Sequence, residues 1–233
     1  MSRTLRRLGF AALVALAAVS CACGALYGSL PSTGDAVARV ELILRAHGAR
    51  FTAIPARARV ARAIVAVEDQ RFFDHGAIDP VALGRVLVDT VTHPGSDPGG
   101  STIAQQLAKT LYVRDPGSLI GRLQAIGLAF KLEHDLSKPE ILQLYLNAIF
   151  FGHGYYGVAQ AARGYFGRAP GALSWRQAAL LAGLPQAPSA YDPVAHPALA
   201  WQRRREVLRR LAATAVLPSA QAFRLVRAPL GIL

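Results

Sequence analysis

Residues 137–148, SKPEILQLYLNA, contain the signal that decides the fold class. Ser137 and Glu140 have the spacing of a capping box, in which two residues satisfy backbone N–H groups that a helix leaves unpaired at its start. Pro139 falls in the first turn, where proline is tolerated because its missing N–H would have no helical partner there. The segment therefore predicts a helix over residues 138–148.

Two more capping pairs lie on either side of this segment. Thr102 with Gln105 predicts a helix over residues 102–113. Ser174 with Gln177 predicts the start of another helix, which a proline stops. Three helix starts in one short chain indicate that helices dominate the fold.

The rest of the chain after the N-terminal segment adds helices and no strands. Apolar patterning predicts further helices over residues 35–47, 55–70, 80–91, 120–134 and 198–212. Glycines and prolines predict a loop over residues 93–100. No convincing alternating strand is found, so residues 35–233 are predicted to form one compact all-α domain.

Residues 1–34 are predicted to form a separate transmembrane anchor. Arg3, Arg6 and Arg7 precede an uncharged, apolar stretch, residues 8–34, which is long enough to span a bilayer of about 30 Å. Positive residues before such a stretch favour an N-in orientation, with the rest of the chain outside. A cleaved signal peptide and a lipoprotein signal are the alternative interpretations.

The composition excludes several classes of protein. The 233 residues are 52% hydrophobic and 17% charged, which excludes intrinsic disorder, and the length excludes a large multidomain enzyme. The formal net charge of +12 indicates an anionic partner. Nucleic acid is not expected, because the predicted anchor places the domain outside the cytoplasm. The arginine-rich residues 203–210 are interpreted as a solvated helix face beside anionic lipid headgroups.

The two cysteines and the acidic residues give different kinds of information. Cys21 and Cys23 lie one residue apart, too close for an ordinary disulfide, and supply no metal-ligand set. Glu68 ends an apolar helix and Asp69 begins a polar, aromatic loop. A carboxylate at the edge of an apolar helix is partly desolvated, which raises its pKa and suits it to acid–base catalysis. A solvated helix terminus is the alternative interpretation of this pair.

A second polar segment combines a flexible turn with a polar helix. Gly99 and Gly100 precede a helix N-terminus, which favours an anion. Gln105 and Lys109 are four residues apart on one helix face, with Gln106 beside them. These side chains are suited to a phosphate and to sugar hydroxyls, although a plain polar helix face gives the same pattern.

A third segment, residues 147–157, continues from a helix end into glycines and aromatic residues. These aromatics either stack on sugar rings or fill the core. Together, the three segments and the capping-box helix resemble the motifs of the peptidoglycan glycosyltransferases, glycosyltransferase family 51. The resemblance extends over about residues 55–212, nearly all of the predicted domain.

The resemblance implies a fold, a reaction and a location. The fold would be a lysozyme-like, mostly helical domain tethered to the membrane, with residues 81–98 in a membrane-facing position. The enzyme would be an inverting hexosyltransferase that joins a lipid-linked glycan strand to lipid II through a β-1,4 bond, releasing undecaprenyl pyrophosphate. It would lie on the extracytoplasmic side of the bacterial inner (plasma) membrane as a single-pass protein, with other cell-wall synthesis proteins as partners.

The resemblance also assigns roles to individual residues. Glu68 would be the catalytic base for the acceptor 4-hydroxyl, and Lys109 would contact the donor pyrophosphate. The substrate-binding residues would be Asp69, Phe72, His75, Ser101, Thr102, Gln105, Gln106, Lys109, Arg114, Arg122 and Asn147. A divalent cation, Mg²⁺ or Mn²⁺, is the one cofactor that the resemblance suggests, and no residue is assigned as its ligand.

One motif departs from the family pattern. The family's Arg-Lys-x-x-Glu falls on residues 121–125, which are Gly-Arg-Leu-Gln-Ala. Gly121 replaces the arginine and Ala125 replaces the second glutamate, which in the family helps to place the pyrophosphate or a metal. One alternative follows from this departure: a degenerate member that binds lipid II or partners as a non-catalytic scaffold. The other alternative is a lysozyme-like glycan-cleaving enzyme, which shares the general fold and the use of a single glutamate.

Overall fold

The computed structural model describes residues 3–92 and 100–233, and over these ranges the chain is helical with no strand. Phe150 and Tyr156 form an isolated β-bridge. The helices are α1 (Arg3–Ser29), α2 (Ala36–Ala46), α3 (Arg59–Glu68), α4 (Pro80–Thr92), α5 (Ile103–Tyr112), α6 (Leu119–Asp135), α7 (Lys138–Ala148), α8 (Gly157–Phe166), α9 (Trp175–Gly183), α10 (Pro197–Ala213) and α11 (Ser219–Val226), with a 3₁₀ turn over Pro170–Ala172.

The all-α prediction is confirmed for these ranges, and each predicted helix is present within a few residues of its expected bounds. Two helices, α8 and α11, were not predicted. Helix α8 begins at Gly157, whose φ of 75° is left-handed and whose added Cβ would lie 2.8 Å from the Asn147 carbonyl oxygen. Only glycine fits this close, left-handed turn, and glycines also predict loops. The sequence therefore predicted a loop here, although a helix begins at the same residue. Apart from Gly100, the predicted loop of residues 93–100 lies outside the described residues.

Two of the three capping boxes form completely. The Glu140 carboxylate accepts from the Ser137 backbone N–H at 2.8 Å, and the Ser174–Gln177 pair is likewise reciprocal. At α5 only half of the box forms. The Thr102 hydroxyl accepts from the backbone N–H of Gln105, whose side chain is bonded elsewhere.

Helix α7 lies in the core. Most of its residues are buried, including Leu142 and Tyr145, so its surroundings are apolar on nearly every side. Helices α5 and α2 pack against α7, α6 packs against α5, and a second group of α3, α9 and α10 packs together. This arrangement brings the C-terminal end of α3 and the first turns of α5 to the same side of α7.

Helix α1 joins the domain through its C-terminal end. Leu30 packs so closely on Gly127 of α6 that a Cβ there would lie 2.5 Å from the leucine. Lys131 donates to the Leu30 carbonyl at 2.7 Å and its ammonium lies 5.0 Å from the centre of the Tyr27 ring. Among the described residues, no helix has the length and apolar character needed to cross a membrane. The anchor stays a prediction.

Candidate active site

A cleft of about 790 Å³ opens between the C-terminal end of α3, the start of α5, the middle of α7 and one face of α10. Six of the predicted site residues line it: Glu68, Asp69, Ser101, Thr102, Gln106 and Lys109. These residues come from segments more than thirty positions apart, so the fold brings the first and second polar segments together, as the resemblance implies.

Glu68 is the last residue of α3 and is half-buried in the cleft. Burial raises the pKa of its carboxyl, although the Gln106 hydrogen bond and the charge of Arg203 act in the opposite direction. The Gln106 amide nitrogen Nε2 donates to Glu68 Oε2 at 2.8 Å. The carboxyl is therefore both held in place and kept a stronger base than a solvated glutamate.

Tyr145 on α7 completes this chain of hydrogen bonds and was not assigned from the sequence. Its side chain is wholly buried, and its hydroxyl donates to Gln106 Oε1 at 2.8 Å. Burial and the nearby charges of Glu68 and Asp69 raise the pKa of the phenol well above its usual value. Because the hydroxyl stays protonated, it fixes the Gln106 oxygen and leaves the amide N–H to face Glu68. The available signal was a tyrosine flanked by leucines on α7, since a buried hydroxyl needs a partner.

Asp69 joins two parts of the cleft wall. One carboxylate oxygen lies 2.6 Å from Nε2 of His75, and the other accepts from the backbone N–H of Ile103 at 3.0 Å. The side chains of Asp69 and His75 are almost fully buried, and the second ring nitrogen of His75 lies 2.6 Å from the Gly76 carbonyl oxygen. Asp69 therefore fixes the loop after Glu68 to the first turn of α5.

Ser101 and Lys109 meet at the N-terminal end of α5. Lys109 Nζ donates to Ser101 Oγ at 3.0 Å, and both side chains are half-buried in the cleft. Thr102 caps the helix and its hydroxyl donates to the Ala77 carbonyl at 3.1 Å. A helix N-terminus beside a lysine favours a bound anion because backbone N–H groups and the ammonium attract the same charge.

Three of the predicted substrate-binding residues are buried outside the cleft. Gln105 donates to the Ala77 carbonyl at 2.9 Å, so it does not share a surface with Lys109. Asn147 bonds to both backbone groups of Thr52, at 2.9 and 3.0 Å. Phe72 is wholly buried in the core. His75 does not line the cleft either.

The aromatic residues of segment 147–157 include one that lines the cleft and one that fills the core. Phe150 is half-buried and lines the cleft, with its ring centre 4.8 Å from that of Tyr156. Phe151 is wholly buried, and its carbonyl accepts from the Tyr165 hydroxyl at 2.9 Å. One aromatic of this segment is therefore available to a ligand and the next belongs to the core.

Four arginines that the sequence analysis did not assign line the cleft: Arg71, Arg85, Arg203 and Arg210. The last two lie seven residues apart on α10, which places them two turns apart on one face. The interpretation of residues 203–210 as a solvated helix face was wrong for Arg203 and Arg210. It was also wrong for Arg204, which is wholly buried. The seven-residue spacing of Arg203 and Arg210 could have indicated their shared face, but the other arginines between them obscured it.

These arginines differ in their partners. Arg71 pairs with Asp79, and Arg203 donates to Glu206 at 2.9 Å. Arg210 donates to neutral groups, the Gln70 side-chain oxygen at 3.2 Å and a backbone carbonyl. Burial and the charge of Arg85 lower the pKa of Arg210. The cleft therefore contains two like charges close enough to interact, an arrangement that an anion between them would stabilise.

The comparison with known proteins identifies the family of this cleft. The profile of the family described as Transglycosylase matches residues 44–212. The chain belongs to the Transglycosylase family. At the family level, the match supports a peptidoglycan glycosyltransferase module.

Two relatives of this transglycosylase chain are much longer proteins. Penicillin-binding protein 1A of Haemophilus influenzae is 41% identical over 66% of this chain and 18% of its own length. Penicillin-binding protein 1A of Aquifex aeolicus is 42% identical over 74% of this chain and 24% of its own length. The chain thus spans about a fifth of each. A crystal structure of the Haemophilus influenzae protein is 37% identical, with a TM-score of 0.40, over 42% of this chain and 15% of that one.

The third motif of the transglycosylase chain has a structural reason for its departure. A Cβ at Gly121 would lie 1.9 Å from the Asp115 carbonyl oxygen, so no larger residue fits there with this backbone. Ala125 is buried in α6 and does not line the cleft. Arg122 and Arg114 are exposed and lie outside the cleft. Position 121 therefore has no space for the arginine that the resemblance implies there, and Ala125 brings no charge to the cleft.

A divalent cation does not fit the residues that the transglycosylase chain offers. In the described ranges, one group of three possible ligands, Asp69, His75 and Asp79, has its ligand atoms within 4.8 Å of one another. Asp69 and His75 already bond to each other, and Asp79 binds Arg71 and two backbone N–H groups at the start of α4. Because these oxygens and the imidazole are already paired, the group serves as a structural link between loops.

Proposed function

We propose that this chain polymerises lipid II into β-1,4-linked glycan strands and releases undecaprenyl pyrophosphate. The observation that carries the proposal is the position of Glu68. Its carboxyl has a raised pKa and lies in one cleft with Lys109 and four arginines. A base beside a cationic surface is the arrangement that transfer from a pyrophosphate-linked sugar requires.

The first part of the reaction is proton removal. The Glu68 carboxylate takes the proton of the acceptor 4-hydroxyl as that oxygen attacks the anomeric carbon of the donor sugar. The Gln106 N–H, fixed by Tyr145, holds the carboxylate oxygen Oε2 and leaves Oε1 for the substrate. Attack on the face opposite the leaving group inverts the configuration at the anomeric carbon.

The second part is departure of the pyrophosphate. The bond between the anomeric carbon and the pyrophosphate oxygen breaks, and the oxygen keeps the electron pair. Lys109 with the first turn of α5 lies on one side of the cleft, and Arg85 and Arg210 supply further positive charge. Fixed cations stabilise the charge that develops on the leaving group without reorganising during the reaction.

We also propose that the domain acts on the extracytoplasmic side of the bacterial plasma membrane, with residues 1–34 as its anchor. Arg3, Arg6 and Arg7 before an uncharged stretch support this orientation. A lipid-linked substrate requires the cleft to be near a bilayer. Fusing a reporter that is active only outside the cytoplasm to residue 233 tests the orientation, and activity of a cytoplasm-specific reporter contradicts it.

The test of the reaction is incubation of the purified full chain with lipid II, with and without Mg²⁺ or Mn²⁺. Glycan strands are expected from the wild-type chain and none from Glu68→Gln. The matched control is Glu41→Gln, because Glu41 pairs with Arg45 on α2 and neither residue lines the cleft. Folded wild-type protein that binds lipid II and forms no strands contradicts the reaction.

A second candidate function is a non-catalytic scaffold that binds lipid II. The observation in its favour is the third motif, where Gly121 and Ala125 remove two charged groups of the family pattern. The same assay separates the two functions, because a scaffold binds lipid II and leaves it unpolymerised. Preformed strands added to the assay test the third alternative, glycan cleavage, which shortens them.

A further inference from the structure

A second groove, of about 500 Å³, lies between α10 and α11 and shares no residue with the catalytic cleft. Its lining residues are Trp201, Arg205, Arg209, Ala212, Ser219, Ala222, Phe223, Val226 and Arg227. The α11 wall lies beyond residue 212, where the match to the Transglycosylase family ends. The groove is therefore only partly formed by the shared module.

The groove is positively charged and contains no carboxylate. Three arginines line it, Arg205, Arg209 and Arg227, and none of them forms an ion pair within the described part of the chain. The Arg205 guanidinium lies 4.5 Å from the centre of the Trp201 ring. Its Nε is buried and has no hydrogen-bond partner.

The floor and rim of the groove are apolar. Phe223 is 65% exposed, and the guanidinium of Arg227 lies 5.1 Å from its ring centre. Trp201 is half-buried, and Ala222 is buried at the contact with α10. Large aromatic side chains combined with arginine are the residues that carry most of the binding energy in protein interfaces.

We propose that this groove binds a partner protein through an amphipathic helical segment that presents acidic and apolar side chains. Charge complementarity favours acidic side chains on the partner, because three arginines and no carboxylate line the groove. The shape of the groove favours a helical segment on the partner, because a groove between two helices accepts the apolar face of a third helix.

The test uses the full chain in phosphatidylcholine nanodiscs and the fluorescence of Trp201. The only other tryptophan, Trp175, is first replaced by Phe so that the signal reports the groove. The probe is a synthetic helical peptide with Leu at i, i+3 and i+7, flanked by Glu and free of Trp. Its control has Lys in place of each Glu. We expect a saturable change in Trp201 fluorescence with the Glu peptide and no change with the Lys peptide.

Charge reversal provides the matched variants. Arg205→Glu with Arg209→Glu should weaken binding by about tenfold or more, because like charges then face the peptide. Arg224→Glu is the control, since Arg224 is exposed on α11 and does not line the groove. Arg227→Glu at the rim should also weaken binding. This single variant keeps the test valid if circular dichroism shows that the double variant is misfolded.

Several outcomes would overturn the proposal. Equal binding of the Lys peptide, or equal loss with Arg224→Glu, shows that the contact is not specific to the groove. A Trp201 response to phosphatidylglycerol nanodiscs without a response to the peptide assigns the groove to anionic lipid. The readout is binding and not polymerisation, so failure here leaves the proposed enzymatic reaction untouched.

Discussion

Gln106 donates a hydrogen bond to the Glu68 carboxylate over 2.8 Å, and this contact links α5 to the end of α3. The amide has one orientation available because Tyr145 supplies a proton to its oxygen. A buried phenol, a neutral amide and a carboxyl of raised pKa thus form one chain of hydrogen bonds.

Replacing Glu68 with Gln should separate catalysis from stability. Loss of the base should lower polymerisation by about 100-fold or more. Stability should change in the opposite direction at neutral pH, because burial disfavours the Glu68 carboxylate in the folded state. A raised folded pKa means that the folded state binds the proton more tightly. The wild-type chain therefore loses stability as pH rises through that pKa.

Thermal unfolding of the wild-type chain and the Glu68→Gln variant from pH 4 to pH 8 measures this effect. The variant should be the more stable at pH 8, and its advantage should shrink as pH falls towards 4.5, the ordinary value for glutamate. An advantage that is constant across this range would show that Glu68 ionisation does not affect folding.

Tyr145→Phe should damage the site without touching a substrate. The change removes the hydrogen bond to the half-buried Gln106, which costs about 1 kcal/mol in the free energy of unfolding. The amide is then free to turn its oxygen towards Glu68, so the rate constant for polymerisation should fall. Tyr156→Phe is the control, because the Tyr156 hydroxyl forms no hydrogen bond in the described part of the chain. Urea unfolding and steady-state kinetics check both variants, and equal behaviour would remove Tyr145 from this role.

Asp79→Asn should reduce stability in a pH-dependent way. Burial alone would raise the pKa of Asp79, but hydrogen bonds from Arg71 and the Ala82 backbone outweigh it and lower the pKa to about 2. The stabilisation is present above the ordinary value of 3.8 and is lost as pH falls towards 2. We expect the variant to lose about 1 kcal/mol at pH 7 and to approach the wild type near pH 2. Urea unfolding at several pH values checks this, and a difference that persists at pH 2 contradicts it.

Gly121→Ala should destabilise the start of α6. Its Cβ would lie 1.9 Å from the Asp115 carbonyl oxygen, so the backbone must move, at a cost of about 1–3 kcal/mol. Gly84→Ala in α4 is the matched control, because a Cβ there meets nothing within 4 Å. In the control, alanine should be neutral or stabilising. Thermal unfolding of both variants measures the contrast, and equal melting temperatures would contradict the close packing.

Arg210→Gln should weaken substrate binding more than it affects folding. Removing one of two interacting cations relieves repulsion with Arg85 in the empty cleft and removes attraction for a pyrophosphate. The KM for lipid II should rise by about tenfold, with a smaller change in kcat. Arg224→Gln, on an exposed part of α11, is the control for charge. An unchanged KM would show that Arg210 does not face the substrate.

Local sequence signals predicted most of the helices because helix starts depend on neighbouring residues. The Ser137–Glu140 and Ser174–Gln177 boxes form as their spacing indicates, since both partners lie within one turn. Gln105 shows the limit of this reasoning. Its spacing fits a box with Thr102, yet its side chain donates to Ala77 instead, a contact across 28 positions that no local pattern contains.

The sequence by itself determined the helical class and most of the helix starts, because each depends on the identity or spacing of nearby residues. Tertiary structure alone decided which polar groups meet. It placed Tyr145 behind Gln106, turned Arg203 and Arg210 into the cleft, and closed the space beside Gly121. These contacts join residues distant in the chain, so burial and charge at each position are properties of helix packing.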